Sequence, residues 1–265
     1  MFIGILLGSL VGALLGLTGA GGGVLAVPAL MLGLGLSMSD AVPVALIAVG
    51  GAAWLGGLAG LRQGLVRYKA ALLMAILGAV CAPAGVWLAH RLPARLLVML
   101  FCVVMLLIAL RMLAPLIAWG PGGRAGALER NCMLDPSTGR FSWNLRCSAT
   151  LAGIGGAAGL FTGMLGVGGG FLIVPAFRRF SDLTMSASAA TSLAVIALVS
   201  TATVLGSLLG GARIPGVGWV FIAATGAGML GGRHFGPRIP EQCLQAGFAL
   251  LMLLVAVVWL GRTLF

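Results

Sequence analysis

Charge is scarce in this 265-residue chain: 8% of its residues are Asp, Glu, Lys or Arg, against 60% hydrophobic. With a mean hydropathy of +1.15, that balance excludes a soluble globular domain. Acidic residues are far fewer than basic ones, five against sixteen. The five present (Asp40, Glu129, Asp135, Asp182, Glu241) fall at segment ends or in one central polar stretch, so the mid-span carboxylate that relays protons or cations in many pumps is missing. Cys81, Cys102, Cys132, Cys147 and Cys243 show no CxxC or metal-ligand spacing. His90 and His234 stand beside Arg91 and Arg233 at expected helix ends. No nucleophile–base pair or metal constellation is spaced for hydrolysis. The expectation is therefore no enzyme, no catalytic residue, no metal and no cofactor. A net charge of +11 comes from short loops between apolar segments, with no basic stripe interleaved with aromatics. Nucleic acid is excluded as a partner, and the charge reads as membrane topology.

What is there in abundance is long apolar sequence and glycine. Uncharged runs repeatedly reach the roughly 20 residues that span a bilayer, and residues 12–30 are written again at 159–177. Ten of those nineteen positions are identical, including six glycines and a proline. The same gapless offset of 147 pairs Gly64 with Gly211, Arg91 with Arg238, Pro93 with Pro240 and Phe101 with Phe248. The expected fold is an all-α polytopic membrane protein with two four-segment repeats, inverted relative to each other, in residues 1–118 and 147–265. A connector, 119–146, carries Gly, Pro and charge. In the first repeat the segments are 2–36, 41–61, 70–89 and 94–118. In the second they are 149–180, 186–209, 216–235 and 243–263.

The opening segment of each repeat is interrupted by glycines that weaken a helix by about 1 kcal/mol each. Two half-helices joined by an irregular turn fit best, with Pro28 and Pro175 in or near the first turn of the helix that restarts. If each broken segment is a re-entrant hairpin, Lys and Arg divide twelve to four between the two sides; if each crosses once, they divide ten to six. The first division obeys the positive-inside rule better and puts the connector in the cytoplasm. Cys132 and Cys147 share the connector and could pair if it faced an oxidising compartment; on the cytoplasmic side they are expected as structural or inert thiols.

Non-helical backbone at membrane depth survives where it is buried in protein or lines a polar cavity. A restarting half-helix offers unpaired N–H groups and a positive dipole end, where anions bind. Candidate substrate-binding positions are Gly19, Gly21, Gly22, Gly23 and Val24 in the first turn and Gly166, Gly168, Gly169, Gly170 and Phe171 in the second. Thr191 and Ser192 are candidate second contacts, with Thr18, Ser37, Ser39, Ser186 and Ser188 nearby. Gly12-xxx-Gly16 and Gly159-xxx-Gly163 read as helix-packing positions. Neither turn has a Walker ending or follows a strand, which excludes nucleotide.

The motif Gly19-Ala-Gly-Gly-Gly-Val-Leu-Ala-Val-Pro28, doubled as Gly166-Val-Gly-Gly-Gly-Phe-Leu-Ile-Val-Pro175, resembles the TauE/SafE-type sulfite exporter family. The connector's Asp135-Pro-Ser-Thr-Gly-Arg-Phe-Ser-Trp143 resembles the same family. The resemblance implies a bacterial inner-membrane permease for sulfite, sulfonates or related small anions. One departure is Pro43-Val44-Ala45, where the second repeat has Ala190-Thr191-Ser192. With a negative cell interior, an exported anion gains about 2.3 kcal/mol per charge per 100 mV. Export or facilitated diffusion is therefore expected over accumulation, the alternatives being a permease for a different small anion or a non-transporting membrane scaffold or assembly subunit. Homo-oligomerisation is left open.

Overall fold

A computed structural model describes residues 2–19, 22–117, 132, 144–209, 215–235 and 241–264. The described residues form ten helices. The first repeat gives α1 (Phe2–Thr18), α2 (Gly23–Leu34), α3 (Met38–Arg62), α4 (Tyr68–Arg91) and α5 (Ala94–Ile117). The second gives α6 (Leu145–Leu165), α7 (Gly170–Phe180), α8 (Met185–Leu209), α9 (Gly216–Phe235) and α10 (Glu241–Leu264). Four of them, over Asp40–Arg62, Tyr68–Arg91, Leu145–Leu165 and Ser186–Leu209, are long and apolar enough to cross a membrane. Leu72, Ile76, Val80, Leu106 and Leu254 are exposed on the outside, as lipid-facing positions are. The chain is an all-α, multi-pass membrane protein.

Local chemistry sets the ends. Ser37 caps α3, its Oγ accepting from the Asp40 N–H at 3.3 Å. Asn144 caps α6, which begins at Leu145, two residues inside the stretch expected as connector. Gly19 (φ 76°) and Gly166 (φ 70°) stop α1 and α6 in the left-handed conformation that favours glycine.

Small residues decide which helices pair. A Cβ on Gly12 would strike Met229 and the Thr225 carbonyl of α9, and one on Gly16 would strike the Met229 carbonyl at 2.5 Å. In the other half, Gly155 and Gly159 press on Met74 and Gly78 of α4, and Gly163 on Ala82. Both small-xxx-small patterns are packing seams, as expected. The consequence lies beyond the sequence: α1 packs on the second repeat's α9, and α6 on the first repeat's α4. The repeats exchange their opening helices.

Directions follow from the same contacts. Gly33 and Leu34, at the end of α2, lie against Leu7 and Gly4 near the start of α1, so α2 runs back along α1. Phe180, at the end of α7, accepts the N–H of Cys132 at 3.0 Å, and Cys132 is disulfide-bonded to Cys147 near the start of α6. Hence α7 likewise returns along α6. The repeat-equivalent helices α3 and α8 run antiparallel: Gly50 faces Ser200, whereas Gly60 faces Ala190. Trp54 Nε1 donates to Thr201 Oγ1 across this pair at 2.9 Å. Arg233 ties the end of α9 to α3, donating to the Gly56 carbonyl at 2.6 Å and to Gln63 Oε1 at 3.0 Å. The Arg91 guanidinium covers the Trp87 ring at 4.1 Å, an amphipathic pairing suited to a membrane interface.

Two expectations need correcting, and the hairpins add a feature of their own. The arms of each hairpin are unequal: α1 and α6 have 17 and 21 residues, α2 and α7 have 12 and 11. The long arms reach far past mid-depth, and the glycine stretches then lead back. Pro28 and Pro175 are the sixth residues of their helices, beyond the first turn. Each removes the N–H that would close on the carbonyl four residues earlier, at Val24 and Phe171. Finally, Cys132 and Cys147 are not separate thiols but a disulfide. The parallel bridge between Cys132 and Ser181 brings this part of the connector onto the hairpin, which composition could not show. The rest of the connector and Cys243's side chain lie outside the described residues.

Candidate anion site between the glycine turns

Both turns open identically. Gly19 N–H closes on the Leu15 carbonyl at 2.8 Å and Gly166 N–H on Thr162 at 2.9 Å. Each apex meets the fifth residue of the opposite repeat's central helix. Gly19 abuts Ala189 of α8, and Gly166 abuts Val42 of α3. The restarts match as well, with Leu25 N–H bonded to the Gly22 carbonyl and Leu172 N–H to Gly169, both at 3.1 Å. At a helix start the first amides have no intrahelical acceptor. These are Gly23 and Val24 on α2, and Gly170 and Phe171 on α7. Neither first turn carries an acidic residue to neutralise the positive dipole end.

The start of α2 meets the second turn just ahead of α7. A Cβ on Gly23 would lie 2.9 Å from the Val167 carbonyl oxygen of the second turn and 3.0 Å from Val49 Cγ1. The same Val49 methyl lies 3.1 Å from where a Cβ on Gly168 would stand, and Ile196 Cγ2 is equally close. Val49 and Ile196 are repeat-equivalent, each the twelfth of 25 residues in its helix. The meeting point is therefore at mid-depth of the central pair α3–α8, although the turn apices are not.

The glycines divide by task. Gly22 and Gly169 face their own first arms, where a Cβ would lie 2.6 Å from the Val11 carbonyl and 2.6 Å from the Ala158 carbonyl respectively. For these two, packing explains the glycine, contrary to the expectation that it explains too little. Gly23 and Gly168 are the pair that brings the turns together. Gly21 lies outside the described residues. Val24 is buried, and buried Phe171 stacks edge-on to Phe161 with centroids 6.4 Å apart.

Hydroxyls in apolar helices ordinarily bond their own backbone. Here Thr18, Thr162, Thr191, Thr201, Thr203 and Thr225 all close on the carbonyl four residues earlier. Thr191 also accepts the Arg67 N–H at 3.2 Å, so its hydroxyl is committed to the α3–α4 loop and not to the turns. Ser192 donates to Ala189 at 2.8 Å and approaches the Gly19 carbonyl at 3.4 Å, which places it against the first turn's apex. Ser37 serves as a cap, and Ser186 lies 3.5 Å from Thr184. The hydroxyls of Ser188 and Ser200, both wholly buried, have no partner. An unpaired buried hydroxyl costs about 1–3 kcal/mol. Sequence reasoning missed Ser200, whose neighbour Thr201 back-bonds as usual; its isolation exists only once α3 covers it. Among the described residues no three His, Cys, Asp or Glu side chains gather to hold a metal.

Two proteins of Xylella fastidiosa, from strains 9a5c and Temecula1, are each 28% identical over 268 residues and carry the name probable membrane transporter protein. Each alignment covers 97% of this chain and 93% of the relative. No solved structure matches the chain. The sequence model of the family described as sulfite exporter TauE/SafE matches residues 4–258, nearly the whole length. The chain is a membrane transporter and belongs to the sulfite exporter TauE/SafE family.

Proposed function

We propose that the protein is a permease, not an enzyme, that moves a small sulfur-containing anion such as sulfite or an organosulfonate, in the direction of export. The observation that carries this reading is the approach of Gly23 to the Val167 carbonyl, with Val49 shared by Gly23 and Gly168. It brings the uncapped, positively ended start of α2 against the turn that leads into α7, level with the middle of α3 and α8. Amides at such a point bind anions without a basic side chain. The sulfur anion is supported by the family description alone, since the relatives' names specify no substrate. Export is supported by the membrane potential and by the lack of any mid-span carboxylate in the sequence.

The antiparallel α3–α8 pair and the returning α2 and α7 support inverted repeats with re-entrant hairpins. That arrangement carries the twelve-to-four division of basic residues and supports an inner-membrane protein with a cytoplasmic connector. With the connector in a reducing cytoplasm, the Cys132–Cys147 disulfide of this structure is the oxidised form of a reversible pair.

The test is sulfite flux in proteoliposomes containing wild type or Gly23→Ala, which puts one methyl group where the turns meet. Flux falling at least tenfold, with helical content and monodispersity retained, is the expected result. Wild-type flux in that variant moves the anion path elsewhere, and flux equal to empty liposomes in the wild type removes the sulfite assignment.

A further inference from the structure

The two turns are equivalent in sequence, but their surroundings are not. Ser200 on α8 is wholly buried and its hydroxyl has no partner. Its Oγ lies 3.8 Å from the place a Cβ would occupy on Gly168 and 3.6 Å from that on Gly50. It thus projects into the seam between α3 and the second turn, one helical turn beyond Ile196, which touches the same glycine. The repeat-equivalent position is Ala53, buried and without a polar atom. Serine here is not explained by packing, because alanine fills the matching place. It is not explained by local bonding either, since it forgoes the carbonyl that the helical threonines around it use.

We infer that Ser200 is a ligand hydroxyl, and that it donates to one oxygen of a small oxyanion whose other oxygens take the amides at the start of α7. This rests on the reading of the turns as the anion site and adds to it the ligand's chemistry and position. A hydroxyl beside a row of amides suits a ligand with several acceptor atoms, so that one oxygen is held from the α8 side and another by backbone. The oxyanion then sits off the axis relating the repeats, against Gly168–Gly170, and the first turn contributes its dipole without a matching hydroxyl. The same asymmetry explains an otherwise costly residue: the unliganded protein carries an unpaired hydroxyl that the substrate satisfies.

Calorimetric titration of the purified full-length protein with sulfite, sulfate, thiosulfate and chloride, paired with thermal unfolding, tests this. Ser200→Ala is expected to weaken oxyanion binding about tenfold, as loss of a hydrogen bond to a charged group does. It should leave the unliganded melting temperature equal or higher, because a buried unpaired group is removed. Ser200→Cys, a weaker donor of similar shape, should fall between. Undiminished oxyanion affinity in Ser200→Ala, alongside lost binding in Gly23→Ala, overturns the role of Ser200 and leaves the turn site standing. A lowered unliganded melting temperature in Ser200→Ala overturns it too, by revealing a structural bond. Undiminished binding in both variants, or no saturable oxyanion binding by the wild type, overturns the turn site together with Ser200.

Discussion

Hairpin α1–α2 and hairpin α6–α7 enter and leave their glycine turns with the same bonds but with different backbone. Gly22 precedes α2 in the right-handed region (φ −59°), whereas Gly169 precedes α7 in the left-handed one (φ 63°). The first hairpin ends free of any covalent tie, at Gly35. The second is closed at its base by Cys132, which bonds Cys147 and pairs with the backbone of Phe180 and Ser181. The second also has Thr162 behind its turn where the first has Leu15, and Ser200 before it where the first has Ala53. A duplicated sequence has thus kept its entry geometry and packing seam while one copy became fixed and polar. Equivalence in sequence guarantees equivalent backbone only where both copies meet equivalent neighbours.

The seam shared by both hairpins should be the costliest place to alter. Gly12→Leu and Gly159→Leu each drive a large side chain into the backbone of α9 or α4, and overpacking of that kind costs about 1–3 kcal/mol or more. Near-complete loss of monodisperse protein in size-exclusion chromatography is expected for both. Good yield for one alone would show that the exchanged helix pairs are not equivalent in strength.

Next in size is the covalent closure. Cys147→Ser opens a bond between residues 15 apart in sequence, worth about 3 kcal/mol for a loop of that size. The oxidised wild type should melt roughly 5–10 °C above the variant, and reduction should abolish the difference. Equal melting temperatures under oxidising conditions would mean that the second hairpin is held by its packing alone.

The smallest effect isolates the two helix starts. Gly22→Ala and Gly169→Ala each put the new methyl group 2.6 Å from a carbonyl oxygen, and Gly22→Ala also meets the Leu15 amide nitrogen more closely still. Only Gly169 has positive φ, which costs a non-glycine residue about 1–2 kcal/mol. The tighter backbone contact at Gly22 and the positive φ at Gly169 should offset each other, leaving the two variants within a few degrees, and Gly169→Ala melting well above Gly22→Ala would show that crowding and not φ sets the cost.

Much of this could be read before any coordinates. The interruptions after Thr18 and Leu165 were legible because consecutive glycines in an apolar run have one economical interpretation. The small-xxx-small positions were legible because helix packing without side chains has a fixed period. Thr191 was misjudged because a hydroxyl's partner depends on which carbonyl or loop faces it, and Arg67 arrives from 124 residues away. The disulfide was missed because the inference went through compartment, whereas proximity depends on where α7 ends. Ser200 went unnoticed for the same kind of reason.

The amino-acid order alone determined that the chain is helical and membrane-embedded, that it is doubled, and where its helices break. These follow from composition, period and the conformational freedom of single residues, all of which act over a few positions. Tertiary structure decided that the repeats trade their first helices, that Gly23 rather than Gly22 meets the other turn, and that one serine is left unpaired beside Gly168. Such outcomes depend on which surfaces touch across more than a hundred residues, and a local rule carries no information about that.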